Sequence, residues 1–184
     1  MRYFYGMELR IGDLFFEPLI SSAAIQQRIA GVAQQINNDY EDRSPLMVGV
    51  LNGSFMFMAD LAREITVPCN FTFTKVASYF GGTASSRTIR EDFEVSIDVE
   101  GRDVLLVEDI IDTGNTIRYL IDRLQARNPA SIAVCTLLLK PEALEHQIPE
   151  IKYVAFEIAN EFVVGYGLDY NELGRNLNGI YRKV

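Results

Sequence analysis

Apolar residues along this chain switch between two spacings, and the switches mark its elements. After Ser21 and Ser22, either of which can cap a helix, Ile25, Ile29, Val32 and Ile36 fall on one stripe of an amphipathic helix. Leu46–Leu51 is a continuous apolar run of strand length, the pattern of a parallel strand buried on both faces. Asn52 and Gly53 then read as a turn, and Ser54 as the cap of a second helix carrying Phe55, Met58, Leu61 and Ile65. Phe71 and Phe73 alternate with threonines, the period of a strand running toward Ser78 and Tyr79. Val104, Leu105, Leu106 and Val107 form another buried-strand run, Ile117, Leu120, Ile121 and Leu124 recur at helical spacing, and further strands pass through Ile132 and Tyr153. This alternation predicts a doubly wound α/β fold in one domain, without internal repeats or a linker.

Two stretches break the pattern in ways that suggest chemistry. Glu108, Asp109 and Asp112 come where the strand that starts at Val104 should end, the place where open α/β sheets bind ligands. Asp112, Thr113, Gly114, Asn115 and Thr116 fall in the turn that opens the next helix. Unpaired backbone N–H groups point outward there with the positive end of the helix dipole behind them, and Gly114 has no side chain to keep a ligand away, so the turn suits a phosphate. Neither GxxxxGK[ST] nor GxGxxG occurs, which excludes the two common nucleotide-binding fingerprints. The second break is Gly81, Gly82, Thr83, Ala84, Ser85, Ser86 and Arg87, a small, polar run whose composition suits either a lid or a disordered connector.

Composition narrows the class. A chain of 184 residues, 48% hydrophobic and 23% charged, is long enough for one domain with a proper core. The N-terminus lacks the apolar run of a signal peptide, and no stretch is long enough to span a membrane, so a cytoplasmic protein is expected. Seventeen basic against 25 acidic residues give a net charge of −8, which argues against a nucleic-acid surface. An acidic protein that handles a polyanion needs a divalent cation, and hard oxygen ligands favour Mg²⁺. Cys69 and Cys135 lie in strand-like runs without metal-site spacing and are expected to be free thiols. His146, in a polar, helix-like stretch, is the single histidine, so general-base work falls to a carboxylate or a lysine.

The segment from Val104 to Ile117, VLLVEDIIDTGNTI, resembles the phosphoribosyl diphosphate (PRPP) motif of the type I phosphoribosyltransferases. LNGSFMF from Leu51, Ser78 with Tyr79, TLLLKP ending at Pro141 and EFVVGYGLDY ending at Tyr170 resemble the 6-oxopurine branch of that family, in the same order. The resemblance covers nearly everything from Leu46 onward; the first forty-odd residues match weakly. It implies a mostly parallel twisted sheet flanked by helices, with a small hood lobe built from N- and C-terminal segments of the one domain, residues 1–184. It implies transfer of the 5-phosphoribosyl group from PRPP to hypoxanthine, and guanine, with Mg²⁺ as cofactor and a homo-oligomer, dimer or tetramer, as the assembly.

Residue by residue, the resemblance assigns the 5′-phosphate to Asp112, Thr113, Gly114, Asn115 and Thr116. Glu108 and Asp109 would bind the ribose hydroxyls directly or through the metal, and Asp112 would be the base or proton relay at purine N7. Leu51, Asn52 and Gly53 would form the pyrophosphate loop, with Arg175 on the pyrophosphate as well. Lys140 would donate to the 6-oxo group, Phe162 would stack on the purine, the Val163 backbone would read its edge, and Asp169 would meet a second Mg²⁺. Ser78 and Tyr79 would head the lid, whose task is to keep water from an electron-poor, oxocarbenium-like sugar. Asn52 departs from the usual lysine or arginine of that loop, Asn160 from a usual aspartate, and the Leu51–Asn52 bond is a candidate non-proline cis peptide. A second reading, from another class, is an effector-binding regulator on the same fold, since fold does not fix function.

Overall fold

A computed structural model describes residues 4–5, 8–80, 87–93 and 95–184, and the side chains of all of these except residues 4–5, 77–80 and 87–92. Its main sheet has six strands in the order β6-β5-β4-β7-β8-β9, formed by β4 (Leu46–Leu51), β5 (Asn70–Phe80), β6 (Arg87–Phe93), β7 (Asp103–Ile111), β8 (Ser131–Leu139) and β9 (Ile151–Glu157). All pairings are parallel except β5 with β6. Helices α1 (Ser22–Asp39), α2 (Phe55–Glu64) and α3 (Asn115–Gln125) cover it, so the central strands are buried on both faces. Leu46, Val48, Val104, Leu106 and Val134 pack with Ile117, Leu120, Ile121 and Leu124 of α3, whereas Met47, Leu105, Val107 and Cys135 pack with Ile25, Ile29, Val32 and Ile36 of α1. Burying each such aliphatic side chain is worth about 1.5–3 kcal/mol, so these two layers dominate the stability.

Helix α1 starts as its sequence requires: Ser21 is extended, and its Oγ accepts from the Ala24 N–H at 3.2 Å. Helix α2 does not. Ser54 sits in helical conformation without a cap bond, and its buried Oγ donates instead to the Val50 carbonyl at 2.6 Å, tying the loop back onto β4.

A second, antiparallel sheet has the order β1-β2-β3-β11-β10. It is formed by β1 (Phe4–Tyr5), β2 (Glu8–Ile11), β3 (Leu14–Ile20), β10 (Val163–Val164) and β11 (Ile180–Lys183) around Leu9, Ile11, Phe16, Val164 and Leu177. The weakly matching N-terminal residues thus pair with the C-terminal ones, in a small lobe set over the carboxyl ends of the main strands. The residues after Pro141 form only one 3-10 turn, Pro141–Ala143, and His146 is exposed. Both cysteines are free; Cys135 lies in β8, and Cys69 just precedes β5.

Candidate active site

Three strand ends and the small lobe enclose one region. Strand β7 does not end before its acids: pairing with β8 continues through Glu108↔Thr136 and Ile111↔Leu139, so Glu108 and Asp109 belong to the strand and are buried. Burial pushes both carboxyls up, Glu108 well above its ordinary range with the Asp109 charge adding to it, while bonding to Glu108 and the Arg175 charge pull Asp109 back. Glu108 Oε2 has no hydrogen-bond partner among the described residues, and Asp109 Oδ1 accepts from the Ile110 N–H at 2.9 Å. Two adjacent buried acids, one with an unpartnered oxygen, fit hydroxyl donors or a hard cation. Among the described residues no cluster of three or more His, Cys, Asp or Glu could hold a metal unaided.

Asp109 is the floor of the loop after β4. A Cβ on Gly53 would lie 1.5 Å from Asp109 Oδ2, and one on Gly167 would lie 2.0 Å from the Gly53 carbonyl oxygen, so only glycine fits at either place. The Leu51–Asn52 peptide is cis. On the far side, Arg175 donates to the Gly167 carbonyl at 2.8 Å and pairs with Asp169 at 2.7 Å and Glu172 at 3.2 Å. Its buried Nε has no hydrogen-bond partner among the described residues, which leaves one donor for a ligand.

Beyond β7, Asp112 and Thr113 precede Gly114, a left-handed N-cap (φ 84°), and α3 begins at Asn115, so Asn115 and Thr116 already lie in its first turn. The reason for glycine at 114 differs from the one expected of a ligand-facing residue. A Cβ there would lie 2.7 Å from Ile148 Cδ1 and 3.2 Å from Leu144 Cδ2, so the constraint comes from the protein beneath the turn. The same segment braces the turn by two bonds, Glu145 N–H to the Thr113 carbonyl (3.1 Å) and Asn115 Nδ2 to Glu145 Oε2 (2.8 Å). Nothing in the residue types or spacing of that segment marked Leu144, Glu145 and Ile148 as supports.

At the end of β8, buried Lys140 extends its ammonium to Asp112, with Nζ 3.0 Å from Oδ2. Across the site Phe162 is 44% exposed, flanked by Phe16 (ring centroids 6.2 Å) and, edge to face, by Tyr170 (5.9 Å), so an apolar ring face stays open for stacking. Val163 is buried in β10 with its backbone in the β10–β11 ladder. Ser78 and Tyr79 lie in β5 with side chains outside the described residues, as does the lid stretch 81–86; Arg87 opens β6. The structure therefore gathers one group around the acids (Glu108, Asp109, Gly53, Asp169, Arg175) and another around the purine-directed residues (Asp112, Lys140).

The turn that opens α3, the paired acids of β7 and the exposed ring of Phe162 lie at the carboxyl ends of the strands, and comparison with known proteins shows the family to which the chain belongs. Residues 20–171 match the phosphoribosyl transferase domain. The chain belongs to the phosphoribosyltransferase family. This phosphoribosyltransferase is 48% identical over 179 residues to a hypoxanthine-guanine phosphoribosyltransferase of Mycobacterium tuberculosis (strain CDC 1551 / Oshkosh), covering 94% of this chain and 88% of that protein. It is 45% identical to the hypoxanthine phosphoribosyltransferase of Salmonella typhimurium, covering 88% of this chain and 91% of the other. The crystal structure of a Staphylococcus aureus hypoxanthine phosphoribosyltransferase superposes with a TM-score of 0.86 at 40% identity, covering 91% of both chains. The type I phosphoribosyltransferase fold expected from the motifs is the fold observed.

Proposed function

We propose that this phosphoribosyltransferase salvages 6-oxopurines, moving the 5-phosphoribosyl group of PRPP onto hypoxanthine and guanine and releasing IMP or GMP with pyrophosphate. The observation that carries this reading is the Lys140–Asp112 pair at the ends of adjacent strands. An ammonium that only donates, beside a carboxylate that only accepts, complements a purine edge with a 6-carbonyl and an N7–H. Phe162 stacks on that ring. The Asp112–Thr116 turn takes the 5′-phosphate on its N–H groups, and the loop around Asn52 and Gly53 takes the pyrophosphate with Arg175 Nε.

As N9 attacks C1′ and the C1′–O bond to pyrophosphate breaks, Asp112 takes the N7 proton and Glu108 and Asp109 hold the ribose hydroxyls. Glu108 and Asp109 would hold one Mg²⁺ and Asp169 a second, each together with substrate oxygens, and the metal would supply the charge neutralisation that a pyrophosphate leaving group needs. Ser78 and Tyr79 head a lid that excludes water, the competing nucleophile. We place the enzyme in the cytoplasm, in keeping with the absence of any described helix long and apolar enough to cross a membrane. We propose a dimer or tetramer, for which exposed Phe15, Phe55, Phe71 and Phe93 are candidate contacts; sedimentation as a monomer would remove that part. PRPP-dependent nucleotide formation with hypoxanthine, guanine, xanthine and adenine tests the reaction. Hypoxanthine and guanine should turn over and adenine should not; no nucleotide from any base sinks the reading.

A further inference from the structure

Residues 51–54, Leu-Asn-Gly-Ser, contain no positive side chain, so an anion held there depends on where the backbone is placed. The wall that fixes this backbone is Gly167, whose contact with the Gly53 carbonyl is glycine against glycine and supplies no side-chain attraction of its own. The attraction comes from the neighbouring residue. Tyr166 is 2% exposed, has a left-handed backbone (φ 49°), and donates its hydroxyl to Asp60 Oδ2 at 2.5 Å. Asp60 lies on α2, the helix that grows directly out of the loop. It also accepts from Gln26 Nε2 of α1 at 2.6 Å and pairs with Arg63 at 2.6 Å. The ring closes through loop 51–54, α2, Asp60, Tyr166 and Gly167, and the last two follow directly on the strand that carries Val163.

We propose that Tyr166 and Asp60 are positioning residues that set the backbone of loop 51–54 for pyrophosphate, tying it to the segment that holds the purine. This rests on the pyrophosphate assignment of that loop under the proposed function. Burial and the Asp60 bond raise the Tyr166 hydroxyl above its ordinary range, so it stays a donor throughout the working pH range.

Tyr166→Phe keeps the ring and removes the donor. With the full chain, the KM for PRPP should rise about fivefold, the net scale of one intramolecular hydrogen bond, while hypoxanthine KM and kcat stay within about twofold. Asp60→Ala should reproduce this, whereas Asp60→Asn, which keeps an acceptor oxygen, should restore most of the PRPP affinity. An unchanged PRPP KM in Tyr166→Phe overturns the proposal. So does a proportionate loss in both KM values and kcat with a lowered Tm, the mark of a merely structural hydrogen bond, and so does an Asp60→Asn as impaired as Asp60→Ala. Calorimetric titration of Mg²⁺-pyrophosphate into each variant reads the same loop without turnover. A fivefold weaker Kd in Tyr166→Phe supports the proposal and an equal Kd overturns it, whichever way the wild-type assay decides the reaction itself.

Discussion

Lys140 is 6% exposed and has exchanged water for one carboxylate, while the Asp112 side chain at the other end of the pair is 51% exposed and free to meet a ligand. Removing its partner leaves the buried Lys140 ammonium unpaired, so under the proposed function Asp112 would serve stability as well as chemistry. Asp112→Asn should lower kcat about 10²-fold, the usual size of a general-base contribution, and should lower Tm too, with PRPP binding by calorimetry largely kept. An unchanged kcat removes Asp112 from proton transfer. Lys140→Met keeps much of the stem and loses the donor. Discrimination built on such a bond can reach about 10⁴-fold, so hypoxanthine kcat/KM should fall steeply and the poor adenine rate much less. Equal losses for both bases would make Lys140 structural. Residue types in the motifs were legible because chemistry restricts them. Tyr166 and Asp60 were not, because 106 positions of sequence separate two residues that meet only in the folded chain.

At the scale of elements, the α3 N-terminus is held from below. Gly114 combines a left-handed backbone with a 2.7 Å approach to Ile148, so Gly114→Ala should cost about 1–2 kcal/mol from the backbone alone, and more from overpacking. Thermal unfolding with and without PRPP measures both effects; a wild-type Tm with wild-type PRPP affinity would mean that the turn tolerates a side chain. Apolar spacing located the start of β7 but not its end. Side-chain pattern stops at Glu108, whereas the backbone ladder with β8 continues to Ile111. The N-terminal strands were invisible for a related reason. β1, β2 and β3 pair with one another locally, but the sheet is completed by β3 pairing with β11, which is distant in sequence, and no local pattern records that contact. Ser54 has the residue type of a cap, yet its hydroxyl finds a closer acceptor one turn back.

The whole molecule is acidic, and its response to pH depends on which carboxylates are held ionised. Asp39, at the end of α1, accepts from Lys152 at 2.8 Å and Tyr153 at 2.7 Å, and these partners hold its carboxyl below the ordinary value of 3.8. A depressed carboxylate stabilises the fold above its unfolded pKa, and that contribution is lost as pH falls through the folded one. Asp39→Asn should therefore cost stability at neutral pH, about 0.5–1 kcal/mol given its 39% exposed side chain, with the gap closing below about pH 3.8. Denaturant unfolding at pH 7 and in steps below pH 3.8 decides it; a gap that does not narrow as the pH falls would locate the loss in packing.

The order of strands in the small sheet also bears on how the protein is made. β11 lies between β3 and β10, and Lys183 N–H bonds the Phe162 carbonyl at 2.9 Å, so Phe162, the proposed stacking residue, is held by a strand that follows it in the chain. A growing chain carries the proposed phosphate turn, between β7 and α3, before it carries the strand that holds Phe162 in register. Under the proposed function purine binding would wait for β11, and a chain truncated before Ile180 should still bind PRPP while binding hypoxanthine up to about tenfold more weakly, on the order of the loss of one stacking contact. Calorimetry on such a truncated chain reads both affinities, and full hypoxanthine binding would show that the platform stands without its last strand.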